Sequence, residues 1–68
     1  MGRMILTING QPQDVAADRV DTLREALGMA GQAVAVELNK DVVPKRDHAT
    51  TPLKDGDVLE LVTLVGGG

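Results

Sequence analysis

The sequence has 68 residues, which is enough for one small domain and leaves no room for a second. It is 43% apolar and 25% charged, close to the average of globular proteins, so a folded domain is expected and wholesale disorder is not. Because Phe, Tyr and Trp are all absent, aliphatic side chains must form the core.

The charge balance and the missing residue types exclude several functions. Seven Lys and Arg against ten Asp and Glu give a net charge of -3, and no aromatic ring is present to stack on a base, so nucleic acid is not an expected partner. No apolar run approaches the length of a membrane span, so no membrane association is expected. The absence of cysteine excludes disulfides and thiolate metal sites and favours a reducing compartment, the cytoplasm.

The first third of the chain has the pattern of a hairpin. Residues 4–9 alternate between apolar and other positions, which predicts a strand. Asn9-Gly10 suits the positive φ angles of a two-residue turn, so residues 11–16 are predicted to return as a second strand. Pro12 places that strand at a sheet edge.

A helix of about three turns is predicted next. Asp18 is the expected N-cap, and the helix is expected to end at the glycines of 28–31. Apolar residues recur at helical spacing, whereas Arg24 and Glu25 are predicted to face outward. The apolar positions are Val20, Leu23 and Leu27.

The remaining segments complete a small mixed sheet. Residues 34–38 predict a third strand, 42–43 a brief extended piece, 45–49 a surface turn or one helical turn, and 58–65 the last strand. One helix packed across such a sheet is the α+β arrangement called the β-grasp, or ubiquitin-like, fold. The predicted shared core is Leu6, Ile8, Leu23, Leu27, Leu59 and Leu61.

The last strand has one side that is predicted to face water. Glu60 lies on that side, and its neighbours Val62 and Leu64 would then be exposed next to the chain end. Exposed aliphatic side chains there suit a protein-docking patch. Scattered surface aliphatics also occur without any role, and the sequence leaves both interpretations open.

The sequence contains few of the residues that catalysis usually requires. Neither Ser nor Cys is present, and His48 is the lone imidazole, which is predicted to be a solvated loop residue. One histidine among scattered carboxylates has no metal-ligand spacing, so no metal site is predicted. The chain is therefore not expected to be an enzyme.

Three glycines follow the last strand. Residues 1–65 are predicted to form the domain, and Gly66, Gly67 and Gly68 a mobile tail with a terminal carboxylate. The tail is either a linker or tag remnant or a reactive terminus. A reactive carboxylate would need another protein to attach AMP as a leaving group, and residues without a Cβ would fit a narrow channel to the nucleotide.

These segments together resemble the ThiS sulfur-carrier proteins of thiamin biosynthesis. The resemblance covers nearly the whole chain and is strongest from residue 34 to the end. It is carried by the residues 34–39 (VAVELN), 42–45 (VVPK), 51–57 (TPLKDGD) and 60–68 (ELVTLVGGG). The sequence departs from the family at His48, where members often carry Trp.

The resemblance implies a monomeric protein cosubstrate that binds no cofactor itself. A ThiF-type activating enzyme would use ATP and Mg²⁺ to adenylate Gly68, with Gly66 and Gly67 in its channel. Sulfur from a persulfide donor would displace AMP, and the Gly68 thiocarboxylate would deliver sulfur for thiazole formation to the synthase ThiG. Val62 and Leu64 would dock both partners. The alternatives are another β-grasp sulfur carrier, such as MoaD of molybdopterin synthesis, and a ubiquitin-like interaction domain with an inert tail.

Overall fold

The computed structural model describes residues 2–64, which form a five-stranded sheet with one α-helix and one short 3₁₀ helix. The predicted tail of Gly66, Gly67 and Gly68, and the boundary at residue 65, lie outside the described residues. The elements in chain order are β1 (Arg3–Ile8), β2 (Gln11–Ala16), α1 (Val20–Ala26), β3 (Val34–Leu38), β4 (Asp41–Val43), the 3₁₀ helix (Lys45–Asp47) and β5 (Val58–Thr63).

The sheet has the strand order β2-β1-β5-β3-β4, so the last strand of the chain lies at its centre. β5 pairs in parallel with β1 and antiparallel with β3, while the β1-β2 and β3-β4 pairs are antiparallel. This mixed sheet with one helix on it confirms the predicted β-grasp fold.

The core fills the space between α1 and one face of the sheet. Five of the six predicted core residues are buried, and Leu27, at the end of the helix, is only partly buried against them. The other five are Leu6, Ile8, Leu23, Leu59 and Leu61. Alternation along β1 and β5 therefore predicted the inner face of the sheet correctly.

Two asparagines join the turns of the sheet to its central strand. Asn9, in the β1-β2 turn, has φ of 50°, and its side chain accepts from the Leu61 N–H at 2.8 Å and donates to the Leu61 carbonyl at 3.0 Å. Asn39, in the β3-β4 turn, has the same φ and accepts from the Val58 N–H at 3.0 Å. Both asparagines thus fix β5 from opposite sides.

The helix is shorter than predicted and begins one residue later. It has seven residues, about two turns, and Arg19 instead of Asp18 occupies the N-cap position. The Asp18 carboxylate lies 3.1 Å from the Thr22 hydroxyl and accepts from no helix N–H. Loop carbonyls satisfy the first helix N–H groups instead, since Val20 donates to Thr51 and Asp21 to His48.

The predictions that Arg24 faces outward and that His48 is solvated are both wrong. Arg24 is 9% exposed and His48 is 3% exposed. The Arg24 guanidinium donates to the carbonyls of Met29 and Gln32, and its Nη1 lies 3.3 Å from His48 Nδ1. His48 Nε2 lies 3.0 Å from the Val43 carbonyl. The bond to His48 ties α1 to the segment after β4, and together these bonds pair every buried side-chain nitrogen of Arg24 and His48 except Arg24 Nε.

Candidate docking site on the open face of the sheet

The face of the sheet opposite α1 is open to solvent across its centre. β5 places Val58 and Val62 there, 47% and 56% exposed, and Leu64, just beyond its end, is 55% exposed. β4 adds Val42, which is 73% exposed. The predicted exposure of Val62 and Leu64 is confirmed, while their docking role stays a prediction.

The chain beyond β5 is held close to β3 as far as residue 64. β5 ends at Thr63, two residues before the predicted end at Val65. The Leu64 N–H nevertheless donates to the Ala33 carbonyl at 2.8 Å, and Val62 lies opposite Ala35 in the β3-β5 register. Val62 and Leu64 are therefore exposed aliphatic residues at the end of the described chain, two to four residues before Gly66 in the sequence.

Two glutamates occupy directly opposite register positions on this face. Glu37 of β3 and Glu60 of β5 are directly opposite in the antiparallel register, and both are exposed. Within residues 2–64, no Lys or Arg nitrogen lies within 4.0 Å of either carboxylate. At the edge of the sheet, by contrast, Asp14 is paired with Arg3 at 3.1 Å.

A buried carboxylate fixes the start of β5. Burial by itself raises the pKa of Asp57, but hydrogen bonds from the Asn39 amide and from Lys54 outweigh burial and hold the pKa below its usual range. The Lys54 Nζ and backbone N–H both lie 2.9 Å from the carboxylate. The side chain of Asp57 is 4% exposed, so it stabilises the turn and is not available to a partner.

Catalytic features are missing from the described part of the chain. Residues 2–64 form no pocket and hold no group of three His, Asp or Glu that could bind a metal ion. No helix among them is long and apolar enough to cross a membrane. This leaves the open face as the candidate site.

The candidate residues divide into those the structure describes and those it does not. Val62 and Leu64 lie together on the open face, whereas Gly66, Gly67 and Gly68 lie outside the described residues. The facing glutamates were missed by sequence reasoning. Alternation along β5 predicts that Glu60 faces water, but its neighbour on β3 depends on a register that one strand does not specify.

Comparison with known proteins identifies the family. The ThiS family model matches residues 6–68. A sulfur carrier protein ThiS from Thermus thermophilus is 34% identical over 61 residues, covering 90% of this chain and 95% of that protein. The crystal structure of a thiamine biosynthesis protein (ThiS) from Geobacter metallireducens has a TM-score of 0.78 and 40% identity, covering 96% of this chain and 100% of that one.

Thiazole synthases also contain a matching segment. The one from Paramagnetospirillum magneticum is 42% identical over 66 residues, covering 96% of this chain. The chain spans only 20% of the length of that synthase and of a second from Magnetococcus marinus. With the family model matching almost the whole sequence, the chain belongs to the ThiS family.

Proposed function

We propose that this chain carries sulfur as a thiocarboxylate on Gly68 and donates it for thiazole formation in thiamin biosynthesis. The observation that carries the proposal is that the ThiS family match continues through Gly66, Gly67 and Gly68. Because the chain has no Cys, the sulfur would be carried on a carboxyl group and not on a cysteine thiol. The carrier acts as a monomer in the cytoplasm.

The chemistry begins when a ThiF-like activating enzyme binds the carrier with ATP and Mg²⁺. The Gly68 carboxylate attacks the α-phosphorus of ATP, pyrophosphate leaves, and an acyl adenylate forms. The carbonyl carbon is then electrophilic because AMP is a good leaving group. Gly66 and Gly67 lie in the channel of the enzyme, where the absence of Cβ atoms permits an extended chain.

A persulfide donor supplies the sulfur. Its terminal sulfur attacks the carbonyl carbon and displaces AMP, and a thiol then reduces the resulting acyl disulfide to the thiocarboxylate. When sulfide is the nucleophile, the same product forms directly, with one sulfur atom in place of one oxygen. This chain contributes only the carbonyl carbon, so the catalytic groups belong to the activating enzyme.

Docking of both partners is assigned to the open face. Val62 and Leu64 are more than half exposed and lie at the end of β5 that leads to the glycines. Burying them against a partner removes apolar surface from water at the place where the terminus must be delivered. The similarity to thiazole synthases supports a ThiG-like synthase as the protein that accepts the sulfur.

Deletion of Gly68 tests the proposal. The shortened chain and the wild type are incubated with a ThiF-like enzyme, ATP, Mg²⁺ and sulfide, and the intact mass is measured. The wild type gains the mass difference between sulfur and oxygen, and the shortened chain does not. Its circular dichroism and melting stay unchanged, because the core lies between Leu6 and Leu61.

Normal conversion of the shortened chain would contradict the role of Gly68. Mass mapping of the terminal peptide then shows whether Gly67 has replaced it as the modified residue.

A further inference from the structure

Arg24, in the last turn of α1, is a buried cation without a carboxylate partner. It is 9% exposed, and within residues 2–64 no Asp or Glu oxygen lies within 4.0 Å of its guanidinium. Its Nε has no hydrogen-bond partner among the described residues. Removing such a group from water costs free energy that an apolar side chain would not lose. The hydrogen bonds that Arg24 does make therefore point to a role beyond packing.

Those hydrogen bonds close the segment between α1 and β3, residues 27–33, which we call the α1-β3 loop. Nη2 of Arg24 donates to the Met29 carbonyl at 3.2 Å and also to the Gln32 carbonyl. The backbone carbonyl of Arg24 accepts from the Met29 N–H at 2.7 Å. Nη1 lies 3.3 Å from Nδ1 of His48, in the segment after β4. One side chain thus holds the loop at two carbonyls and connects it to a second part of the fold.

The next residue of the α1-β3 loop holds the chain beyond β5. Ala33 follows Gln32 directly, and its carbonyl accepts from the Leu64 N–H at 2.8 Å. This bond lies beyond the last residue pair of the β3-β5 register. Arg24 fixes the carbonyl of Gln32, and the carbonyl that follows it fixes Leu64. The position of Leu64 therefore depends on where Arg24 holds the loop.

We propose that Arg24 is a positioning residue for the chain end, an inference that rests on the proposed function. By holding the α1-β3 loop, it keeps the Ala33 carbonyl in place for the Leu64 N–H, and Gly68 follows Leu64 by four residues. The activating enzyme must bring the Gly68 carboxylate to the nucleotide, and a small displacement of a reacting group lowers the rate strongly. Arg24 acts through Leu64 and takes no part in the reaction itself.

Two substitutions separate the hydrogen bonds of Arg24 from the rest of its side chain. Arg24→Met keeps an unbranched stem and removes every donor. Arg24→Lys keeps a cation with three donors, so it is expected to retain part of the wild-type behaviour. Val20→Ala is the matched control. Val20 is 0% exposed at the start of α1, so its truncation lowers stability without removing a hydrogen bond.

Hydrogen exchange of the Leu64 amide, followed by NMR, measures the positioning without any enzyme. Arg24→Met is expected to speed this exchange about tenfold, because the carbonyl that accepts the bond is no longer held. Arg24→Lys is expected to lie between Arg24→Met and the wild type. An amide at the end of a strand exchanges through local opening, so the general loss of stability in Val20→Ala leaves its rate unchanged.

Conversion by a ThiF-like enzyme separates positioning from stability. The carrier is the substrate, so partial unfolding lowers the concentration of folded carrier and raises the apparent KM while kcat stays the same. A displaced chain end instead slows the reaction of the bound carrier. Arg24→Met is therefore expected to lower kcat about tenfold, Arg24→Lys less, and Val20→Ala not at all. Intact mass at increasing carrier concentration gives both constants.

The outcomes separate this inference from the proposed function. If Arg24→Met is converted with the wild-type kcat, or if its Leu64 amide exchanges no faster than in Val20→Ala, the inference is wrong and the sulfur-carrier function stands. If Arg24→Met does not fold, Arg24→Lys must show both changes in smaller size, and wild-type values in it overturn the inference. If the wild type is never converted, the proposed function fails together with any role of Arg24 in the reaction, and the exchange rates still decide whether Arg24 holds Leu64.

Discussion

The two sides of β5 carry similar aliphatic residues in different surroundings. Leu59 and Leu61 are 0% and 4% exposed under α1, whereas Val58 and Val62 on the other side are 47% and 56% exposed. Adjacent residues of one strand therefore belong to two regions, an inner face that holds the domain together and an open face that is free for partners. Mutations on the two faces are expected to separate stability from binding.

Leu61→Ala on the inner face gives the largest expected loss of stability. The side chain is 4% exposed, so its truncation leaves a cavity and costs about 2–5 kcal/mol of the free energy of unfolding. The midpoint of urea unfolding measures the loss. For a domain of this size, that is a large share of the total stability.

Val62→Ala, on the adjacent position of β5, is the control for Leu61→Ala. Its exposed side chain predicts a change within about 0.5 kcal/mol. Equal losses in the two variants would show that the two faces do not differ in the way described.

His48→Leu tests the buried hydrogen bonds that His48 forms with Arg24 and with the Val43 carbonyl. Arginine only donates, so His48 Nδ1 accepts from Arg24 and Nε2 donates to the Val43 carbonyl. Leucine removes both bonds and leaves a buried guanidinium and a buried carbonyl short of partners, at a cost of about 2–4 kcal/mol. Urea unfolding measures the loss.

His48→Gln keeps an acceptor and a donor and is expected to lose less stability than His48→Leu. If both substitutions leave the unfolding midpoint unchanged, the histidine is solvated after all, and the buried network is wrong.

Asp57→Asn tests whether the buried carboxylate at the start of β5 contributes pH-dependent stability. The pKa of Asp57 in the folded protein is below its usual value, so the stabilisation is present above the unfolded pKa of about 3.9 and is lost as pH falls through the folded pKa. Near neutral pH the substitution costs about 1–3 kcal/mol, because it disrupts bonds from Asn39 and Lys54. Urea midpoints measured between neutral and acid pH give both the loss of stability near neutral pH and its dependence on pH.

The difference between wild type and Asp57→Asn shrinks as the pH falls through the folded pKa. A difference that stays constant across the acid range would mean that the Asp57 carboxylate contributes no pH-dependent stability.

The sequence predicted those features that depend on local pattern. Period-two alternation placed Leu6 and Leu61 inside, and Asn9-Gly10 predicted the first turn. These two predictions are correct because each strand buries one side, and because the turn needs positive φ angles that Asn and Gly adopt readily. The same alternation predicted Val62 on the open face.

The errors concern polar groups whose partners are distant in sequence. Arg24 lies on the buried side of α1, where His48 and two loop carbonyls accept from its two terminal nitrogens, and no local pattern contains that information. Asp18 was a good N-cap by residue type, but the carbonyls of a distant loop took that role. The pairing of Glu37 with Glu60 likewise requires the register of β3 against β5.

Leu64→Asp on the open face has the smallest expected effect on folding. Leu64 is 55% exposed, so the melting temperature stays within a few degrees of wild type. A carboxylate there loses its water without gaining a partner on docking, so pull-down of the ThiF-like and ThiG-like proteins weakens and thiocarboxylate formation slows. Unfolding of the variant would place Leu64 in the core, and normal binding would place the docking surface elsewhere.

Fragmentation mass spectrometry of the reacted chain tests the central claim most directly. The wild type is incubated with a ThiF-like enzyme, ATP, Mg²⁺ and sulfide, and the intact protein is fragmented to locate the added sulfur. The account predicts one sulfur in place of one oxygen in every fragment that contains Gly68 and in no fragment that ends before it. Sulfur at any other residue, or no gain of mass under these conditions, would contradict a Gly68 thiocarboxylate as the sulfur-carrying group.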